Sequence, residues 1–484
     1  MRGAAAFRAA LRAAKRRVSP EELDGVRAAL RAVARAPPGD EVLPPRVCAQ
    51  LRSTYGLLGA AGRLGFLSLL VEDMRVDDDA VARHAAALDA ARARASAAPL
   101  LRAHAALRDA LVPPYERVLQ MVVRQEEGTR FLLALRTELL GAIDASGEAE
   151  ETADELARWR ALDASVRRLL LSAFEPNNLQ LVRARWESAA ALLERIMSYE
   201  RVHSYSGWDD LKRRLEGERM VYTFVHPSMP HEPLVFVHVA LARRVPCALA
   251  EVLPPLGASE AGEEPEGSHA GGEARSSVAV FYSISSPHHG LRGVSLGGLL
   301  IKQVVATLRE AAPHLTTYVT LSPVPGFGRW LQARLALEAR ADRSFGGDFV
   351  APLEQRALTA FRAAASKEGV SLDAPFAEDA PLPPGLRESL LRLCAVYLVH
   401  AKKRQSALDP VAAFHLRNGA ILAALHWEAN PSPKGRRESA GIMVNYLYEL
   451  SQIEPNHSAY VANGYVATTA VVQTLLADDI PSKL

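Results

Sequence analysis

SVAVFYSISSPHHGLRGVSLGGLLIKQVVATLRE, residues 277–310, decides how the second half of this chain is built. Its first nine residues are β-branched, aromatic and partly alternating, which is the pattern of a strand. A short polar loop follows. From Gly297 onward the apolar residues recur at three- and four-residue spacing, so the segment ends in an amphipathic helix. Strand, turn and helix in that order point to an α/β domain. Glycines at the mouth of a helix let backbone N–H groups come close to an anion, and the helix N-terminus adds a favourable dipole. The same glycines also serve as plain turn formers, and spacing leaves both readings open.

The surrounding sequence agrees with an α/β domain over residues 201–484. MVYTFVHPS (220–228), EPLVFVHVAL (232–241) and TTYVT (316–320) read as strands, and helical patterns return at 297–311 and 352–366. Residues 257–276 are rich in Gly, Ser and Glu, with too little apolar surface to order themselves, and read as a flexible insertion. Residues 1–200 have a different texture. LRSTYGLLGAAGRLGFLSLL (51–70) and FLLALRTELLGAI (131–143) repeat Leu and Ala at helical spacing, so this half reads as all-helical. Ser19-Pro20-Glu21-Glu22 marks a helix start, and Glu175-Pro176-Asn177-Asn178 a break.

Composition narrows the classes of function. A chain of 484 residues exceeds one ordinary core, so two or more domains are expected. The formal charge of +2 and the lack of a basic stripe argue against a nucleic-acid partner. The apolar runs are broken by Arg or Gly every few residues, so no membrane span is expected. Cys48, Cys247 and Cys394 form no CxxC pair, which fits a reducing compartment and leaves no thiolate metal site. Two segments read as addresses. Ser482-Lys483-Leu484 matches the ending read by a peroxisomal import receptor, and the Arg/Ala-rich start, without an acid before Glu21, reads equally as a mitochondrial transit peptide or a basic helix. In a bacterium the protein would be cytoplasmic.

Three places carry candidate chemistry. In Arg292-Gly293-Val294-Ser295-Leu296-Gly297-Gly298 the spacing resembles R-x-x-G-x-G, the pyrophosphate loop of the acetyltransferase-like (GNAT) fold, with Ser295 where that loop has Gly. Ser322 ends a β-branched run before Pro323, either as a turn residue or as a displayed hydroxyl. It has no G-x-S-x-G setting of the serine-hydrolase kind. His415, in DPVAAFHLRNGA (409–420), is either a backbone-bonded structural histidine or a group that moves a proton near neutral pH. The remaining histidines show no metal-binding spacing. Lys402-Lys403-Arg404 and Lys434-Gly435-Arg436-Arg437 read as solvated surface, or as cations that meet nucleotide phosphates.

Taken together, FYSIS (281–285), HGLRGVSLGGLLIKQVV (289–305), LSPVPGFGRWL (321–331), LCAVYL (393–398), DPVAAFHLRNGA (409–420), GIMVNYLYEL (441–450) and EPNHSAY (454–460) resemble the malonyl-CoA decarboxylase family, in its order. YGLLGAAGRLGFLSLLVEDMRVDDDAV (55–81) is similar to its helical segment. The resemblance implies an all-α N-terminal domain that assembles a homo-oligomer, a tetramer, followed by a GNAT-like catalytic domain with a mixed central sheet. It implies conversion of malonyl-CoA to acetyl-CoA and carbon dioxide without metal or organic cofactor. It places the catalytic pair on Ser322 and His415, the malonyl-CoA-binding loop on Arg292 to Gly298, and pocket residues on Asn445 and Tyr446. The family too departs from Gly at the position of Ser295. Two other functions fit a coenzyme A binder: an acyltransferase that moves an acyl group to an amine, and a non-catalytic sensor whose helical half binds partners.

Overall fold

The computed structural model describes residues 20–35, 43–93, 96–146, 153–255, 276–340, 352–377 and 383–477. The expected insertion (257–276, all but its last residue), Ser19, the Arg/Ala-rich start and Ser482-Lys483-Leu484 lie outside the described residues. A helical region is followed by a domain built on a mixed sheet, as the sequence predicts. The chain divides into two compact units. The first comprises 1–180, 225–234 and 286–295, and the second 181–224, 235–285 and 296–484.

The first unit packs helices that include Ala60–Asp73, Pro114–Val123, Gly128–Ser146 and Ala153–Ala173. Phe66, Leu70, Leu132, Leu139, Trp159 and Leu170 are buried there, and the helix of Phe66 and Leu70 is buried on every side from Gly65 to Val71. Tyr55, Phe66 and Phe131 meet edge to face, with ring centroids 5.1–6.5 Å apart. Arg136 is buried among them, held by Asp163 at 2.8 Å and by the carbonyl of Gly290 at 2.6 Å. A side chain at Gly290 would run into the carbonyl of Leu133, so this close approach requires glycine.

The strands are β1 (Gln180–Ala184), β2 (Arg219–Val225), β3 (Val235–Ala242), β4 (Val278–Ser285), β5 (Thr317–Thr320), β6 (Ser322–Pro323), β7 (Lys402–Lys403), β8 (Ser406–Ala407), β9 (Ile421–His426) and β10 (Met443–Leu447). Eight of them form one sheet in the order β1-β2-β3-β4-β5-β10-β6, with β9 also on β10, while β7 and β8 pair separately. Strand β1 falls in the stretch that reads as all-helical. Five residues, partly exposed, give too short a pattern to stand out against flanking Leu/Ala periodicity. Strands β2, β3 and β4 are buried almost throughout, which is why they read as near-continuous apolar runs.

One pairing prepares the site. Strands β4 and β5 run parallel from Val278 opposite Thr317 to Phe281 opposite Thr320. Beyond that point they part. Strand β4 continues on β3 as far as Ser285, while the chain after β5 stays with β10, which β5 already meets at Val319 opposite Leu447, and pairs Ser322 with Val444. Strand β10 carries a bulge between Asn445 and Tyr446, the kind of irregularity that re-aims side chains beside functional sites.

Candidate active site

Asp409 starts the construction of the site. It caps the helix Pro410–Arg417, its Oδ1 accepting from the N–H groups of Val411 (2.9 Å) and Ala412 (3.0 Å), with Pro410 at the first helical position. Its Oδ2 accepts from the N–H of Gly326 (3.2 Å) and from the hydroxyl of Tyr397 (3.4 Å). One fully buried carboxylate thus ties the histidine's helix to the loop that follows Ser322. Burial pushes its pKa up while the N–H donors pull it back down.

At the other end of the helix, Asn418 and Gly419 make a turn, as an Asn-Gly pair favours. Gly419 has φ +81°, and a Cβ there would meet the carbonyl of Ile453 at 2.1 Å. Held at both ends, the helix buries His415 against β5, β6 and β10. The Nε2 of His415 lies 3.3 Å from Ser322 Oγ, and its Nδ1 lies 2.8 Å from the hydroxyl of Tyr448. Tyr446 stacks on the imidazole, with centroids 4.7 Å apart and planes at 21°. The Ser322 hydroxyl donates to Thr320 Oγ1 at 2.9 Å. Its oxygen is then free to accept from Nε2–H, and Nδ1 accepts from Tyr448. That tautomer makes the imidazole a donor toward Ser322, not a base that activates it.

Burial alone lowers the His415 pKa to about 3, so the ring is neutral in the free protein. The same burial raises the pKa values of Tyr446 and Tyr448. Thr320 is fully buried and receives the N–H of Tyr446 at 3.1 Å, which holds the bulge against the serine.

Ser322 and His415 are therefore together, although 93 residues separate them. Of the pocket candidates, Tyr446 touches the imidazole. Asn445 instead donates to the carbonyl of Thr320 at 2.7 Å and bonds His426, within the sheet. The loop candidates fall on both sides of the division between units. Arg292, Gly293, Val294 and Ser295 belong to the first, where Asp144 binds the Arg292 guanidinium through both oxygens (2.7 and 3.0 Å) and Arg167 donates to the Gly293 carbonyl. Leu296, Gly297 and Gly298 open the helix Leu296–Ala311 in the second, and there they approach the histidine's helix. A Cβ on Gly297 would meet Phe414 at 2.9 Å, and one on Gly298 would meet Asn418 at 2.3 Å.

Thr320, Asp409 and Tyr448 lie at this site without having been singled out in the sequence. Asp409 before Pro410 is a legible capping signal, whereas Tyr448 has no local one. Among the described residues no group of three His, Cys, Asp or Glu side chains is placed to hold a metal ion. No helix among them is long and apolar enough to cross a membrane.

Known proteins resemble the chain along most of its length. The model of the malonyl-CoA decarboxylase N-terminal domain matches residues 75–174, and that of the C-terminal domain residues 177–484. Mitochondrial malonyl-CoA decarboxylase of Rattus norvegicus is 35% identical over 435 residues, 89% of this chain and 85% of its own. The enzyme of Anser anser anser is 31% identical over 432 residues, 88% of this chain and 82% of its own. The crystal structure of malonyl-CoA decarboxylase from Rhodopseudomonas palustris has a TM-score of 0.73 at 33% identity, covering 93% of this chain and 98% of that one. That from Agrobacterium vitis has a TM-score of 0.73 at 32% identity, covering 94% and 100%. The relatives are carboxy-lyases, and a helical region joined to a mixed-sheet domain places this chain in that class. More particularly, the chain belongs to the malonyl-CoA decarboxylase family.

Proposed function

We propose that this protein decarboxylates malonyl-CoA, releasing acetyl-CoA and carbon dioxide, with Ser322 and His415 as the catalytic pair. The observation that carries this reading is the buried imidazole with Nε2 facing Ser322 and Nδ1 fixed by Tyr448. The bond between the carboxylate carbon and Cα breaks, and its electron pair passes into the thioester as an enolate. Carbon dioxide leaves, Cα takes a proton from Nε2 of His415, and the medium restores that proton to the ring. Ser322 hydrogen-bonds the malonyl carboxylate or thioester and passes a proton, without an acyl-serine. Donors preset around a developing oxyanion are worth about 3–4 kcal/mol each, and a pocket this dry strengthens them.

A carboxylate brought beside a neutral, desolvated imidazole favours its protonated form. Substrate binding thus loads the proton that the reaction consumes. We read the parting of β4 and β5 as the acetyltransferase-like arrangement, with the segment Arg292–Gly298 as the substrate loop at the entry of the helix Leu296–Ala311. The family resemblance extends the proposal to a homotetramer, which light scattering tests. It also extends to import through Ser482-Lys483-Leu484 or into mitochondria, which tagged chains with and without each end distinguish.

Incubation with malonyl-CoA alone tests the reaction. Acetyl-CoA and carbon dioxide are expected in equal amounts, with one solvent deuterium per acetyl group in D2O. Turnover only on addition of an amine acceptor would favour the acyltransferase, and ligand binding with zero turnover the sensor.

A further inference from the structure

Thr320 ends β5 and is its last residue to pair with β4 before the two strands part. It is fully buried and stands two residues before Ser322, with Leu321 between them in the apolar cluster of Val280 and Val319. Asn445 donates to its carbonyl at 2.7 Å, and the Tyr446 N–H to its hydroxyl at 3.1 Å. Among the described residues the Ser322 hydroxyl bonds to Thr320 and His415 alone.

A hydroxyl carries one proton and two lone pairs. A backbone N–H can only donate, so Tyr446 holds one lone pair of Thr320 Oγ1 at all times. The other takes the Ser322 proton at 2.9 Å, which leaves Ser322 Oγ to accept from Nε2–H of His415. The proton of Thr320 itself makes no bond among the described residues. Ser322 Oγ is an acceptor already within its reach, once the serine's own proton has turned away.

We propose that Thr320 is a positioning residue that sets the direction of the serine–histidine hydrogen bond. In the free protein it keeps the Ser322 proton off Nε2 of His415. When that proton turns to the bound substrate, Thr320 donates its own to Ser322 Oγ. The change is a rotation of two O–H groups, and each proton stays on its oxygen. The inference rests on the decarboxylase reading and adds to it the group that selects the polarity of the pair. Without the Thr320 hydroxyl, the acceptor left to Ser322 is Nε2. Donation there moves the ring proton to Nδ1 and holds the imidazole neutral, because a hydrogen bond to the neutral form disfavours the charged one. The ring then no longer points a donor at the substrate.

Thr320→Val removes the hydroxyl at nearly constant shape, and Thr320→Ser restores it. The 15N shifts of the histidine rings, with His415 assigned by its loss in His415→Gln, read the polarity directly. Nε2 should be protonated in the wild type and in Thr320→Ser, and Nδ1 in Thr320→Val. With malonyl-CoA, Thr320→Val should lose about 10–100-fold in kcat and change KM by less than about threefold, and Thr320→Ser should recover most of kcat. In a Ser322→Ala background Thr320→Val should cost nothing further, because its effect passes through the serine. Should the valine variant fail to fold, Thr320→Ala is read in the same way. A tautomer that does not change, or an equal loss of kcat in both backgrounds, overturns the proposal and leaves Thr320 a packing residue. The ring shifts need no turnover, so they also separate the two readings. The expected change of tautomer without any acetyl-CoA from the wild type would sink the decarboxylase and keep Thr320 as the group that sets the polarity.

Discussion

A histidine that is neutral in the free protein has to acquire a proton before it can act as the donor we propose. With its pKa near 3, His415 does not carry that proton at pH 7. In the proposed mechanism the malonyl carboxylate supplies the missing charge, which makes binding and protonation one event. Calorimetry at pH 7 in buffers of different ionisation enthalpy, with a malonyl-CoA analogue that keeps the carboxylate but cannot lose it, should therefore show uptake of close to one proton per ligand bound, and His415→Gln should abolish it. The same variant should lose about 10²–10⁴-fold in kcat, the usual worth of general acid catalysis. Near-native turnover by His415→Gln would remove the histidine from the mechanism. Ser322→Ala should lower kcat more than it raises KM; the opposite pattern would leave the hydroxyl a binding role only.

Positioning is the work of whole elements. The helix Pro410–Arg417 is eight residues long, too short to hold its place by its own hydrogen bonds. Asp409 anchors its start and the Gly419 turn its end. Asp409→Ala removes the cap, worth about 0.5–2 kcal/mol, and leaves the half-buried Gly326 N–H and the buried Tyr397 hydroxyl without their partner, a further loss of about 1–3 kcal/mol. Denaturant unfolding should register a combined loss of about 1.5–5 kcal/mol, and kcat should fall because Ser322 and His415 lose their common tether. A variant as stable and active as the parent would show that the cap is dispensable. Gly298 has a different task. Any side chain there displaces Asn418, so Gly298→Val should lower kcat/KM for malonyl-CoA while circular dichroism stays unchanged.

Across the molecule, buried imidazoles make stability depend on pH. His203 and His238 are held near 4 by burial, and His415 near 3. Unfolding frees each to bind a proton at its ordinary pKa of about 6.5. The unfolded state therefore binds more protons between that value and the folded ones, and stability falls as pH drops through this window. Glu200 adds to the trend. It accepts from Ser283, Ser285 and the N–H of His203, and its lowered pKa means that acid also weakens those bonds. The urea midpoint should fall steadily from pH 7 to pH 4.5 and stay level from pH 7 to pH 8.5. His238→Gln should flatten part of the slope. A midpoint independent of pH below 6.5 would contradict neutral burial of these rings.

What could be read in advance divides by the range of the forces involved. Strand runs such as Val278–Ser285, the stripe of the helix Leu296–Ala311, the Pro410 start and the Asn418-Gly419 turn are local patterns. Periodicity, φ restriction and capping are properties of a few adjacent residues, so the sequence by itself determined these elements and the helical-then-α/β order. Resemblance to the family brought Ser322 and His415 forward as a pair. Tertiary structure alone decided the rest, because it depends on contacts between distant segments. The bonds of His415 to Tyr448 and Ser322, the double duty of Asp409, and the bulge that stacks Tyr446 on the ring all follow from how β5, β6 and β10 meet.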